Sequence, residues 1–277
     1  MIEIIHNHFE RGHIRRRRIR LALFDFDGTL SLVREGWQQI MQQIMVEHLL
    51  QTPAHEGETD LARLAAEWVA QTTGKETLYQ MMQLADEIQK RGGQPQMPEV
   101  YKQQFLAQLT GRVRERLDAL EAGRASSDDL MVPGARAMLE AMRVRGVTCY
   151  LASGTDESAV IQEATALGIA PYFAGIYGAR DAASHGASPH SLKKMLVERL
   201  VAEYHLQACE LIAFGDGFVE IQETKRANGL AVGVASNEAA RAGIDEWKRA
   251  RLVEAGADII VPDFREHAEL VAYLFET

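Results

Sequence analysis

The chain has 277 residues, 47% of them apolar and 25% charged, enough to bury one large core or a core carrying a second module. Its formal net charge of −9 argues against a general nucleic-acid binder, whose affinity rests on basic surface. No apolar run approaches the roughly 18 residues of a membrane span, so no membrane partner is expected.

Near the start, Arg15, Arg16, Arg17 and Arg18, with Arg20 close behind, read as a solvated approach to the first strand. His6, His8 and His13 have no carboxylate or cysteine company and are expected in solvent. The apolar residues that follow run only from Ile19 to Phe24 before Asp25, which is not a secretory leader, so a cytoplasmic location is the expectation. Leu21-Ala22-Leu23-Phe24 has the continuous apolar character of a strand buried on both faces.

Residues 34–128 then read as purely helical. Trp37, Ile40, Met41, Ile44, Met45 and Leu49 recur at helical spacing, as do Leu61, Leu64, Ala65, Trp68 and Val69, and then Leu78, Met81, Met82, Ala85 and Ile88. A fourth helix is predicted from Pro98, a first-turn residue, through Tyr101, Phe105, Leu109, Val113, Leu117 and Leu120, with Gly123 as its stop. The methionines and tryptophans are read as core. Thr73-Gly74-Lys75-Glu76 lacks the first glycine and the hydroxyl residue of a P-loop, so no nucleotide site of that type is expected.

Strand-like runs at 147–152, 211–214, 230–234 and 258–261, with a weaker one at 173–177, alternate with helix-like stretches at 134–145, 157–167, 191–204 and 265–275. Such alternation predicts an α/β fold with a parallel sheet covered on both sides, whose ligands bind beyond the carboxyl ends of the strands. The helical module is an insertion of residues 34–128 into a core built from 1–33 and 129–277. Cys149 lies in a strand-like run and reads as a buried thiol; with Cys209 it makes no disulfide framework.

Chemistry gathers at those strand ends. The first strand runs into Asp25-Phe26-Asp27-Gly28-Thr29; carboxylates two apart on extended backbone point the same way. Crowding them calls for a cation or a shared proton, and Mg²⁺ prefers such hard oxygen ligands. Ser153-Gly154-Thr155-Asp156 follows the second core strand and precedes a helix, a place suited to phosphate, although taken alone such a motif is more often an ordinary helix cap. Gly215-Asp216-Gly217 follows the run at 211–214, its glycines read as allowing a tight bend, with Glu220 one helical turn on. Lys193 and Lys194 sit near the start of a helix, where an ammonium would offset phosphate charge; Leu196 and Val197 follow Lys193 at core spacing, which favours it. His185 and His190 read as loop histidines at the surface.

The order of these motifs resembles the haloacid dehalogenase superfamily, and the insertion after the first motif resembles its helical C1 cap, as in phosphoglycolate phosphatase-like and β-phosphoglucomutase-like members. The resemblance implies a Rossmann-like sheet with the cap above the strand ends. It implies a Mg²⁺-dependent phosphatase acting on a small phosphorylated sugar or acid. Asp25 would be the nucleophile that forms an aspartyl-phosphate, and Asp27 the acid and base. Mg²⁺ would be held by Asp25, the Asp27 backbone carbonyl and Asp216. Ser153, Gly154 and Lys193 would bind the phosphoryl group; Thr29 would help set the loop around the aspartates, and Glu220 would reach the metal directly or through a water. Glu220 departs from the family's usual aspartate, and the family's Lys-Pro pairing is absent. Asp27 and Thr29 favour phosphate chemistry over dehalogenation. A phosphomutase uses the same two aspartates and is the alternative; a catalytically silent binding module would be expected to lack Asp25 or Asp216.

Overall fold

The structure, a computed structural model, describes residues 1–5, 19–72, 77–179 and 189–275, and the side chains of all of these but 189–191. The arginines 15–18, His6, His8, His13, residues 73–76, His185 and the His190 side chain lie outside what it describes. Two compact units are present, one of Met1–Glu35 with Leu117–Thr277 and one of Gly36–Arg116.

In chain order, β1 (Glu3–Ile4) and β2 (Leu21–Phe24) come first. The chain then departs through α1 (Trp37–Leu49), α2 (Glu58–Thr72), α3 (Thr77–Lys90) and α4 (Pro98–Glu121). No strand occurs between α1 and α4 among the described residues. Ile40, Met41, Ile44, Met45 and Leu49 are buried on α1, and Leu61, Ala65, Trp68 and Val69 on α2. On α3 the buried apolar set is Met81, Leu84 and Ile88. Met82, expected in that stripe, faces solvent, because the inner face of the helix runs through Gln80, Met81, Leu84 and Ile88, one residue earlier. Gly123, at φ 68, takes the left-handed conformation that ends a helix at no steric cost.

Departure and return are tied together inside the first unit. Leu32 N donates to Leu130 O at 2.8 Å, and Val132 N donates to Leu30 O at 3.0 Å. Beyond them follow α5 (Ala135–Val144), β3 (Thr148–Asp156), α6 (Glu157–Ala166), β4 (Phe173–Ala179), α7 (Pro189–Glu203), β5 (Leu211–Gly215), α8 (Phe218–Arg226), β6 (Leu230–Val234), α9 (Glu246–Glu254), β7 (Ile259–Val261) and α10 (His267–Phe275).

The strands form one sheet in the order β1-β7-β6-β5-β2-β3-β4. All neighbours are parallel except β1, which runs antiparallel along β7. All four residues of β2 are buried, as a central strand with helices on both faces requires. Phe24 lies opposite Phe214 in the β2–β5 register, and the rings stack with centroids 4.6 Å apart. Leu196, Val197 and Leu200 of α7 pack into a cluster with Leu21, Leu23 and Leu211, each such side chain contributing about 1.5–3 kcal/mol. Helices α8 and α9 were not among the helix-like stretches of the sequence. Both are short, and α9 buries only Lys248 and Leu252, too little apolar spacing to betray it.

Candidate active site

The stacked phenylalanines stand on the two strands that lead to Asp25 and Asp216. Asp25 N donates to Phe214 O at 2.9 Å, extending the β2–β5 ladder and fixing the backbone of the first aspartate. The chain then turns sharply, with Leu30 N and Ser31 N both donating to Phe26 O at 2.9 Å. Gly28 stands at φ 74 in this turn, and a Cβ there would lie 2.3 Å from Asp216 Oδ2. Glycine is needed on both counts. Gly215 and Gly217 serve differently from the expected sharp bend. Gly217 has an extended φ of −98, and a Cβ at Gly215 would meet Glu220 Oε1 at 2.2 Å. Their smallness makes room for Glu220.

Three cations organise the site, and each bridges two carboxylates. Lys193 Nζ donates to Asp25 Oδ1 at 2.6 Å and to Glu220 Oε2 at 2.8 Å. Lys248 Nζ lies 2.8 Å from Asp216 Oδ2 and 2.7 Å from Glu238 Oε1. Arg34 binds Glu163 through Nη2 to Oε1 at 2.6 Å, and its Nε lies 3.6 Å from Asp27 Oδ1. Every aspartate of the predicted site thus has a cation at its side and a glutamate beyond that cation. Lys194, by contrast, is exposed and reaches toward Glu198, at 3.9 Å.

The two leading aspartates differ in surroundings. Asp25 is buried, its side chain 9% exposed, whereas that of Asp27 is 30% exposed. Burial pushes the Asp25 carboxyl well above its ordinary value, with the Lys193 charge opposing. Burial alone would push the Lys193 ammonium down, but the charges of Asp25 and Glu220 outweigh it and hold the proton. Asp27 Oδ2 accepts from Thr155 Oγ1 at 2.9 Å and from Ser153 Oγ at 3.2 Å. Ser153 does not follow the strand as expected. It lies within β3, whose pairing with β4 shifts register between Ala152 and Asp156, and this irregularity turns both hydroxyls toward Asp27. Gly154 is exposed. Thr29 is fully buried, and its Oγ1 has no hydrogen-bond partner among the described residues.

A divalent cation fits this arrangement. Asp25, Asp216 and Glu220 each offer an oxygen within 4.8 Å of the others, and hard carboxylate oxygens suit Mg²⁺. The bridges leave a surplus of acid, since Asp25, Asp27, Asp216, Glu163, Glu220 and Glu238 share Lys193, Lys248 and Arg34. Glu220 is the least available of the three, because Oε1 already accepts from Gly217 N at 2.7 Å and Oε2 from Lys193.

A family model described as haloacid dehalogenase-like hydrolase matches residues 19–228, a span that includes every one of the predicted site residues. The chain belongs to this family. A search of curated proteins gave no match. Among solved structures, this hydrolase is similar to one described as a predicted phosphoglycolate phosphatase from Haemophilus somnus, with 18% identity, TM-score 0.60, and 91% of this chain and 98% of that one covered. It is also similar to a β-phosphoglucomutase from Clostridium difficile (16%, 0.56, 92% and 97%). A third likeness is to a hydrolase of the family from Deinococcus radiodurans with bound phosphate and sodium (19%, 0.54, 93% and 95%). At such identities the likeness is one of fold.

Sequence reasoning missed Thr155, Arg34, Glu163, Ser236, Glu238 and Lys248. Two carried a usable signal: Ser236 and Glu238 follow β6 directly, at one more strand end of the kind that marked Asp25 and Asp216. Lys248, on α9, is reached only through the fold.

Proposed function

We propose that this hydrolase is a Mg²⁺-dependent phosphatase for a small phosphorylated metabolite, a sugar phosphate or a phosphorylated acid. One observation carries the reading: two aspartates share a strand end in opposite settings. Asp25 is buried against a lysine, while Asp27 is partly exposed, at 30%, and held by two hydroxyls. The first setting suits a nucleophile, the second a group that exchanges protons with leaving group and water.

In this reading Asp25 attacks phosphorus as the bond to the leaving oxygen breaks, and Asp27 gives that oxygen its proton. Asp27 then takes a proton from the water that attacks the aspartyl-phosphate, releasing phosphate and restoring Asp25. Lys193, already on Asp25, offsets charge on the transferring group. Ser153 and Thr155 hold Asp27, and the Ser153–Gly154 segment is taken as part of the phosphate cradle. Asp25, Asp216 and the Asp27 carbonyl would hold Mg²⁺, which supplies charge neutralisation at the phosphoryl oxygens when bound. Phosphate bound to the Deinococcus relative supports the ligand class. Residues 34–128 are taken as the family's helical cap, which selects among esters.

The test is a panel of phosphate esters assayed for phosphate release with Mg²⁺ and with EDTA. Release that needs the metal is expected. Turnover unchanged in chelator would overturn the metal assignment, and isomerisation without phosphate release would replace phosphatase by phosphomutase.

A further inference from the structure

Lys248 has no role in the chemistry described so far, although it stands on a predicted metal ligand. Its side chain is 8% exposed, so protein groups take the place of water around the ammonium. An ammonium has three donors, and three acceptors surround this one: Asp216 Oδ2 and Glu238 Oε1, with Ser236 Oγ at 3.2 Å. Ser236 Oγ in turn donates to Gly28 O at 2.6 Å, in the turn just after Asp27. The same ammonium therefore touches Asp216 and, through one hydroxyl, the turn that carries the two aspartates of the first motif.

A tethered cation beside a metal ligand has two effects of opposite sign. It holds the carboxylate in place, and it repels any second cation that comes to share that carboxylate. We propose that Lys248 is a positioning residue that shares Asp216 with the divalent cation, orienting this ligand and weakening the metal's hold on it. The inference rests on the proposed metal site at Asp25 and Asp216. Glu238 is the counterweight: it takes part of the ammonium's charge, so that Lys248 does not close Asp216 to the metal.

A lysine that merely supports the fold predicts that every disruptive change loosens metal binding. Shared ownership of Asp216 predicts opposite signs for the two ends of the bridge. The measurement is Mn²⁺ binding to the metal-free protein, followed by electron paramagnetic resonance without substrate. Lys248→Met should bind Mn²⁺ tighter by about tenfold or more, since a unit charge a few ångströms from a divalent ion is worth at least that even in water-like screening. Lys248→Arg keeps the charge and should stay within about threefold of the parent protein, while Glu238→Gln should bind about tenfold weaker. Lys194→Met, at the exposed neighbour of Lys193, should change nothing. Unchanged or weaker binding in Lys248→Met would overturn the proposal. If that variant gives no cooperative melt, Glu238→Gln decides, and parent-like affinity there overturns it. A parent protein that binds no Mn²⁺ would instead sink the metal reading, and this inference with it.

Discussion

The helical unit contains a fourth bridge of the same composition as the three in the candidate site, and the contrast shows what burial does to it. Arg91 grips Glu56 with Nε and Nη2, both at 2.7 Å, and Glu87 with Nη1 at 2.6 Å. It also lies over the Trp68 ring, 6.0 Å from the centroid. Hydrogen bonding to Arg91 holds Glu56 below the ordinary 4.5. Burial pushes Glu87 up, but bonds from Lys90 and Arg91 outweigh it and hold Glu87 below 4.5 as well. Around Lys193 the outcome is reversed, and the Asp25 carboxyl rises. One cation serves two carboxylates in each case. The difference is solvent: Glu56 and Glu87 are 45% and 15% exposed, whereas Asp25 and Glu220 are 9% and 2% exposed. Near water the charges cost little and the bridge is a fastening. Where water is excluded, the carboxylates keep an unmet demand for positive charge, which a metal or a transferring group can meet.

The largest expected effect separates the two aspartates. On the proposed mechanism Asp25→Asn removes the nucleophile, so turnover should fall by more than several orders of magnitude and no phosphoenzyme should form. Asp27→Asn should cost ~10²–10⁴-fold. With an aryl ester, whose leaving group needs no proton, Asp27→Asn should accumulate phosphorus label while Asp25→Asn does not. Equal effects on the labelling step would show the roles to be misassigned. Arg34→Met acts one contact further out, and losing such a support for a reacting group typically costs about 10–100-fold. Because Arg34 faces Asp27, the loss should be smaller in phosphoenzyme formation from an aryl ester than from an alkyl ester; an equal loss with both would make Arg34 a fold element only. Arg91→Met removes the bridge between Glu56 and Glu87 in the helical unit. Its cost should appear in the melt, at about 1–3 kcal/mol, and not in kcat.

How far the sequence carried depended on whether a feature was contiguous. Asp25, Asp27, Ser153 and Asp216 stand at or near the ends of continuous apolar runs, and a parallel sheet brings such ends to one edge. The face of α7 was equally readable: Leu196, Val197 and Leu200 dock the helix, and Lys193 shares their side. What stayed hidden was long-range or conformational. Glu163, on α6, and Lys248, on α9, meet their partners across 129 and 32 residues, and no spacing rule links them. Thr155 was read as part of a capping loop, since nothing in Ser-Gly-Thr-Asp announces that β3 continues to Asp156. Arg34 was assigned to the edge of the insertion and not to the site.

The smallest expected effect tests the contrast between the bridges directly, through the pH dependence of stability in the metal-free protein. Glu56 and Glu87 have depressed pKa values, so the unfolded chain takes up protons before the folded one does as pH falls. Their contribution is therefore present above the ordinary 4.5 and is lost on acidification through the lower folded values. Asp25 works the other way. Its folded carboxyl keeps a proton that the unfolded chain gives up just above the ordinary 3.8, so stability falls as pH rises toward the folded value. Arg91→Met should flatten the acid limb of a plot of melting temperature against pH. Asp25→Asn has no proton to lose and should flatten the opposite limb, leaving the metal-free variant more stable than its parent near neutrality while the two converge in acid. For a protein of this size each kcal/mol moves the midpoint by roughly 2–4 °C, a readable difference in paired melts. Saturating Mg²⁺ should shrink the advantage of the variant, because the ion meets the same demand in the parent that the amide removes. If Asp25→Asn melts lower than its parent at neutral pH without metal, burial does not dominate at Asp25, and the bridge to Lys193 is a fastening like that of Arg91.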